Sequence, residues 1–302
     1  MMKDRAQAMV MASFVADSHA LGVHWIYSTQ KIAREYGRVE HLLKPSQKSY
    51  HPTKDVGEFT HYGDQTLVLL ESLDEAGGFD VEVFSRRWQE LFKDYHGYMD
   101  QATKETRINL AEGKSPLDAG SDSNDIAGAS RIAPLVYSLN ADLDALVKAA
   151  RTQTMMTHGD VHTVDAAEFF ARLCWDVLRG RTPVDAITDI VGNHVSSAKI
   201  RGWVESGLNS RENDSIETIV GFGQSCHTPE AFPGIIHLIS RWENNLEEAL
   251  IQAVMAGGDS AARGMLVGMV LGAHLGKDAI PQEWIGDLKQ AGRIQNLLDA
   301  IW

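Results

Sequence analysis

Four aspartates stand where glycine-rich or irregular sequence gives way to an apolar helical pattern. Asp64 follows Tyr62-Gly63, Asp125 follows Gly120-Ser121-Asp122-Ser123-Asn124, Asp160 follows Gly159, and Asp259 follows Gly257-Gly258. Carboxylates in such places do one of two things. An aspartate is a favoured N-cap, satisfying free amides of the first turn for about 1 kcal/mol. Several helix N-termini lining one pocket instead make an anion site, because their amides and dipoles favour negative charge. Carboxylates beside such a pocket hold a divalent cation through oxygen. Asp122 and Asp125 form an acidic pair that suits either added ligands or a general base acting on water; the plain alternative is a solvated acidic loop. Arg263 lies four residues after Asp259, the spacing at which two side chains share a helical face. Its guanidinium would bring positive charge and bidentate phosphate binding, whereas a surface pair would contribute only a few tenths of a kcal/mol.

Two other patterns carry less. His158 and His162 have the i,i+4 spacing of a zinc-protease helix but lack the glutamate after the first histidine, and Gly159 places His158 in the turn before the helix. His158 is therefore read as a satisfied histidine or a substrate contact. Cys226 and His227 are adjacent in sequence and would seldom point at each other, so they do not read as a nucleophile–base pair.

The elements that position these residues read as helices. Helix-compatible periodicity runs near 4–21, 65–75, 80–96, 100–112, 125–138, 141–153, 161–179, 183–205, 229–241, 245–255, 260–276 and 287–301, and the best strand-like alternation is residues 37–42. No composition shift or linker divides the chain, which predicts one all-α domain over 1–302. The stretches 44–63 and 113–124 lack periodicity, and loops of that length inside a domain are usually functional; the first is a candidate lid. Ala8, Ala12, Ala16 and Ala20 recur every fourth residue, as do Gly264, Gly268, Gly272 and Gly276. A glycine costs about 1 kcal/mol in a helix interior, so a glycine ridge predicts close packing, here against the alanine ridge.

Composition narrows the function classes. With 28 Lys+Arg against 41 Asp+Glu the chain carries a formal charge of −13, which disfavours sequence-independent binding to a nucleic-acid duplex and to an anionic membrane surface. The apolar run Gly264–Gly276 is shorter than the roughly 20 residues of a span and reads as a buried core helix. Two cysteines, Cys174 and Cys226, are too few for a disulfide scaffold and suit a reducing, cytoplasmic setting. The N-terminal residues do not read as a signal peptide.

Four segments, in order along the chain, resemble the motifs of the ADP-ribosylglycohydrolase family. Ala16-Asp17-Ser18-His19-Ala20-Leu21-Gly22 is similar to the family's opening Gly-Asp-Ala-Leu-Gly helix, and Tyr62-Gly63-Asp64-Gln65-Thr66 to its Thr-Asp-Asp-Thr loop. Ala129-Ser130-Arg131-Ile132-Ala133-Pro134-Leu135 with Thr157-His158 resembles its central elements, and Gly257-Gly258-Asp259-Ser260-Ala261-Ala262 its Gly-Gly-Asp-Thr-Asp-Thr helix start. The resemblance implies a compact all-helical fold and hydrolysis of a glycosidic bond to ADP-ribose. It also implies a pair of Mg²⁺ (sometimes Mn²⁺) ions held by the first and last motifs.

The departures from those motifs reshape the expectation. The first set reads Gly63-Asp64-Gln65 and the last Asp259, Ala261 and Ala262, so half of the matched carboxylates are gone. Two remaining aspartates balance one divalent ion and not two. The family's glutamate soon after the first helix gives way to His24-Trp25-Ile26-Tyr27. The expectation is therefore at most one Mg²⁺ or Mn²⁺, or none, held by Asp64 and Asp259. Gln65 would offer a carbonyl and Ser260 a hydroxyl, and Arg263 would replace part of the lost charge. Asp64, Asp122 and Asp125 are the candidates for proton transfer; Gly63, Gln65, His158, Ser260 and Arg263 are those for binding a small-molecule or protein-linked ADP-ribosyl substrate. Two other readings stand beside this one: a non-catalytic nucleotide-binding or structural relative, as the lens crystallins of this fold are, and a metal-independent hydrolase of another substrate.

Overall fold

A computed structural model describes residues 2–195 and 197–302. From the N-terminus its α-helices are α1 (Met2–Leu21), α2 (Thr29–Tyr36), α3 (His61–Ala76), α4 (Val81–Leu91), α5 (Gln101–Ala111), α6 (Ala127–Ser130), α7 (Ala133–Ser138), α8 (Leu143–Met155) and α9 (Val161–Leu178). They continue as α10 (Pro183–Asn193), α11 (Ala198–Asn209), α12 (Ser215–Phe222), α13 (Thr228–Arg241), α14 (Leu246–Met255), α15 (Ser260–Leu275), α16 (Gln282–Asp287) and α17 (Ala291–Ile301). Among the described residues, β-pairing is confined to two isolated bridges, Ser121 with His158 and Asp125 with His227. The fold is all-α.

Helices α1 and α15 are the centre, and both lack a polar face, as helices buried all round do. They meet along the two small-residue ridges. A methyl group added at Gly268 would lie 2.6 Å from the Ala12 carbonyl oxygen, and one at Gly272 would lie 2.7 Å from Ala12 Cβ and 2.8 Å from the Ala8 oxygen. Hydrogen at these positions lets the backbones approach this closely. Gly276 does something else: at φ 82° it ends α15. The run from Gly264 lies in this buried helix, and no described helix is long and apolar enough to cross a membrane.

Three differences from the sequence expectations have local causes. The helix expected over 125–138 is split into α6 and α7, because Pro134 at the second position of α7 has no amide to continue the ladder. The helix expected over 183–205 stops at Asn193, and Ser197 caps a new one by accepting from the Ile200 amide. Residues 37–42 are not a strand. Val39 and Leu42 are buried, but with no neighbouring strand the backbone oxygens are met by side chains: Val39 O by His19 Nε2 at 2.9 Å and Glu40 O by Trp284 Nε1 at 2.8 Å. The long segment before α3 packs as a wall of the site: His51, Phe59 and Thr60 are buried and Thr53 donates to the His96 carbonyl.

Candidate functional site

Backbone hydrogen bonds tie four distant loops together around the N-terminus of α15. Trp25 N donates to Gly258 O at 2.9 Å and Gly258 N to Ile26 O at 3.0 Å; Asp259 N donates to Gln224 O at 2.8 Å. Ile126 N then donates to Cys226 O and Thr228 N to Asn124 O, each at 2.8 Å. Gly257 and Gly258 adopt φ of 70° and 68°, and a Cβ on Gly258 would stand 2.1 Å from Gln224 O, so the pair of glycines is what lets these loops close. Trp25 has φ 63°, the one positive value on a non-glycine among the described residues. Backbone strain of this kind is concentrated at functional sites.

The stitching gathers a polar cluster. One ligand atom each from Asp125, Cys226 and Asp259 lie within 4.8 Å of one another. Asp259 is the N-cap of α15, accepting from Ala262 N at 3.1 Å, and its other oxygen accepts from the Tyr62 hydroxyl at 3.0 Å. Asp125 accepts from Ala127 N at 2.9 Å, and the Cys226 thiol donates to it. Among the described residues, His24 is the one basic group within 4.0 Å of either carboxylate, its Nδ1 being 3.9 Å from Asp259 Oδ1. Burial raises the Asp259 carboxyl pKa. Burial, then the charges of Asp259 and Asp100, raises that of Asp125 well above the ordinary range. Burial, then the charges of Asp125 and Asp259, pushes the Cys226 thiol up. Two like charges held together out of water favour a proton or a cation between them.

An aromatic wall flanks this cluster. The His24 ring stacks on Trp25 at 4.3 Å, and Trp25 meets Tyr50, Tyr98, His51, His61 and Tyr62 at ring separations of 4.9 to 6.5 Å. Neither ring nitrogen of His24 or His51 has a hydrogen-bond partner, although both rings are buried. His61 Nε2 lies 3.3 Å from Asp100. Burial, then the neighbouring histidines, keeps His24 neutral, and burial brings His51 down to about 3. Outside Trp25 opens a cleft of about 540 Å³ whose lining includes His24, Tyr27, Lys31, Lys48 and Tyr50.

The residues expected from the sequence are distributed unevenly around this centre. Asp64 is not among the side chains gathered at Asp259. It lies in the first turn of α3, two residues after Tyr62, and two residues are about 200° apart around a helix; with Tyr62 turned to Asp259, Asp64 faces away and is held by Lys54 Nζ and the Tyr95 hydroxyl, each at 2.5 Å. The partner of Asp259 is Asp125 instead. The Gln65 carbonyl does not face the cluster either: it accepts from Trp88 Nε1 at 2.7 Å and from Arg131. Gly63 is packed under the Asp17 carboxylate, where a Cβ would come within 2.4 Å of Oδ2. Asp122 is exposed, and Asp160 caps α9.

His158 is buried, with Nδ1 2.8 Å from the Thr157 hydroxyl and Nε2 unpartnered, while His162 packs edge-on to Trp203; the two histidines do not converge. Arg263 is fully buried rather than part of a surface pair. Its Nη2 donates to Ala253 O at 2.8 Å and Gly257 O at 2.5 Å, holding the loop that carries Asp259, and Nε and Nη1 have no partner. Ser260 is buried with a free hydroxyl.

Sequence reasoning passed over His24, Tyr62, Cys226 and Asp17. The signal for Asp17 was its place inside an apolar helix. There it accepts from Thr60 N at 2.8 Å and Thr60 Oγ1 at 2.5 Å, anchoring the start of α3, and burial raises its pKa to about 7. Cys226 was weighed only against His227, which instead bonds Asn124 at 2.6 Å.

The comparisons with known proteins agree with this architecture. The family model described as ADP-ribosylglycohydrolase matches residues 1–302. Crystallin J1A of Tripedalia cystophora is 26% identical, covering 97% of this chain and 94% of its own. An uncharacterized protein of Archaeoglobus fulgidus is 23% identical, covering 100% of this chain and 97% of its own. The solved structure titled ADP-ribosylglycohydrolase-related protein complex superposes with a TM-score of 0.80 at 23% identity, covering 99% of this chain and 97% of that one. Members of such a family typically bind divalent metal. Here two buried carboxylates, with no lysine or arginine paired to them among the described residues, fit a divalent cation.

Proposed function

Because the chain belongs to the ADP-ribosylglycohydrolase family, we propose that it hydrolyses a glycosidic bond to ADP-ribose or a related nucleotide conjugate, free or protein-linked, with at most one divalent cation. The observation that carries this reading is the meeting of Asp125 with Asp259 beside the aromatic-walled cleft. In the proposal Asp259 and Asp125 hold the ion, Mg²⁺ or Mn²⁺ in the family's usual choice. When bound, it supplies positive charge that orients ribose hydroxyls or acidifies water. Tyr62 and the Ala262 amide fix Asp259. Of the three carboxylates considered for proton transfer, Asp125 is the one beside Asp259, and it takes the proton of the attacking water.

Substrate fits the cleft by size and chemistry. A volume of about 540 Å³ suits a nucleotide, Tyr50 and Trp25 offer faces for a base, and Lys31 and Lys48 offer charge for phosphate. In this reading Ser260, the residue after Asp259 with an unpartnered hydroxyl, contributes a ligand contact, while Gly63, Gln65, His158 and Arg263 support the site from within. The proposed setting is the reducing cytoplasm, which suits the free thiols of Cys174 and Cys226. Neither a nucleic-acid duplex nor a membrane is a partner in this reading.

A second reading has its own support. Asp64 is tied to Lys54 and Tyr95, and a crystallin is among the relatives, which favours a non-catalytic ADP-ribose-binding or structural protein. Titration calorimetry with ADP-ribose, with and without divalent cation, paired with a turnover assay on ADP-ribosylated substrates, separates the two. Cation-dependent binding with turnover is the proposed result; binding without turnover assigns the second role, and no binding overturns both nucleotide readings.

A further inference from the structure

We propose that the cation site is a mixed carboxylate–thiolate–imidazole centre, with Asp125, Asp259, Cys226 and His24 as ligands, and that it selects a borderline transition-metal ion such as Zn²⁺ or Co²⁺ over Mg²⁺. This rests on the reading above that a single cation sits at Asp259, and it names the kind of ion.

The donor set carries the inference. Mg²⁺ takes oxygen ligands in a nearly octahedral shell and keeps much of its water. A sulfur atom in the cluster is wasted on such an ion, whereas sulfur, imidazole and carboxylate together are the ligand types of Zn²⁺ and its neighbours. Ligand atoms of Asp125, Cys226 and Asp259 already lie within 4.8 Å of one another. A tetrahedral ion with bonds of about 2.0–2.3 Å would need them roughly 3.3–3.8 Å apart, so side-chain adjustments of about an ångström close the site. The backbone permits no large drift: Ile126 N to Cys226 O and Asp259 N to Gln224 O, each 2.8 Å, fix the three loops relative to one another.

His24 supplies the independent observation. Its side chain is fully buried, neither ring nitrogen has a hydrogen-bond partner, and Nδ1 stands 3.9 Å from Asp259 Oδ1. A buried imidazole left without a partner is destabilising, and coordination to an ion removes that cost. The His24 nitrogens are not among the atoms gathered within 4.8 Å of one another, so this ring has to move further than the other three ligands to join them. Of the other two histidines singled out by the sequence, His158 is bonded to Thr157 and His162 packs on Trp203. Two carboxylates and a thiolate exceed the charge of one divalent ion. Arg263, fully buried behind the same loop with Nε and Nη1 unpartnered, offsets the excess. Cys226 is only partly covered, which leaves the ion a route in.

The test uses the full chain stripped of metal with a chelator and titrated with Co²⁺ under reducing conditions. The expected result is one equivalent bound, with a thiolate-to-cobalt charge-transfer band in the near ultraviolet and the strong visible bands of four-coordinate Co²⁺. Zn²⁺ then displaces the cobalt at equal concentration and Mg²⁺ fails to do so in large excess. The near-ultraviolet band disappears in Cys226→Ser, and His24→Gln weakens binding by more than the ~10–100-fold typical of losing an outer-shell partner. A wild-type complex without the near-ultraviolet band overturns the proposal, as does a band that survives Cys226→Ser or displacement by Mg²⁺ at comparable concentration. The wild-type competition alone decides the matter if a variant does not fold. Mg²⁺-dependent hydrolysis of an ADP-ribosylated substrate with no cobalt–thiolate band would sink this inference and leave the proposed function standing; the band without ADP-ribose affinity would do the reverse.

Discussion

Asp17 shows how a single buried carboxylate sets the geometry of the site without belonging to it. Both of its oxygens accept from Thr60, the N-cap of α3, so the helix that presents Tyr62 to Asp259 starts at a point chosen by α1. Its pKa of about 7 lies above the 3.8 of an ordinary aspartate because burial penalises the charge. Between those values the folded chain keeps a proton that the unfolded chain has released. The stability Asp17 contributes is therefore fully present below pH 4 and is lost as pH rises to 7, by about 1.4 kcal/mol per pH unit at the steepest. Asp17→Asn can accept from the Thr60 amide and donate to its hydroxyl. Urea unfolding at several pH values should show wild type losing stability relative to this variant across that window; parallel curves would refute the assignment. Gly63→Ala tests the same contact from the other side. Its methyl would meet Asp17 Oδ2 at 2.4 Å and Phe59 Cβ at 2.8 Å, and the expected loss is about 1–3 kcal/mol in the same measurement.

At the scale of elements, what the sequence made legible was periodicity, and what it hid was direction. The glycine and alanine ridges announced a close helix pair because the missing side chains are visible as letters, and α1 and α15 do pack ridge to ridge. Asp64 and Asp259 also stand out as letters, but the 200° turn between Tyr62 and Asp64 that sends one inward and the other to Lys54 is fixed by how α3 is docked on Asp17. Cys226 and His24 escaped notice because each lies in a loop whose neighbours across space, Asp125 and Asp259, are distant in the chain. Short helices such as α2 and α16 bury one residue each and leave no apolar period to read. The ridge makes a graded prediction. Gly264→Ala places its methyl 3.6 Å from Ala16 Cβ, an ordinary contact, so the gain in helix propensity of up to about 1 kcal/mol should hold or raise the Tm. Gly268→Ala and Gly272→Ala meet backbone oxygen at 2.6 and 2.8 Å and should lower it, with a cost of about 1–3 kcal/mol. Equal effects at the three positions would contradict the packing.

For the whole molecule, the all-α core serves as a scaffold on which the loops at 23–27, 121–126, 223–227 and 256–259 are tied by backbone bonds into one polar centre. The family model matches the full chain, and the proposed single cation rests on the two buried carboxylates that meet at this centre. The most direct check is anomalous diffraction from crystals of the full chain soaked with Zn²⁺. One peak between Asp125 and Asp259 is the predicted result. Two ions about 3.5–4 Å apart, or a single ion on the far side of α3 at Asp64, would contradict the account.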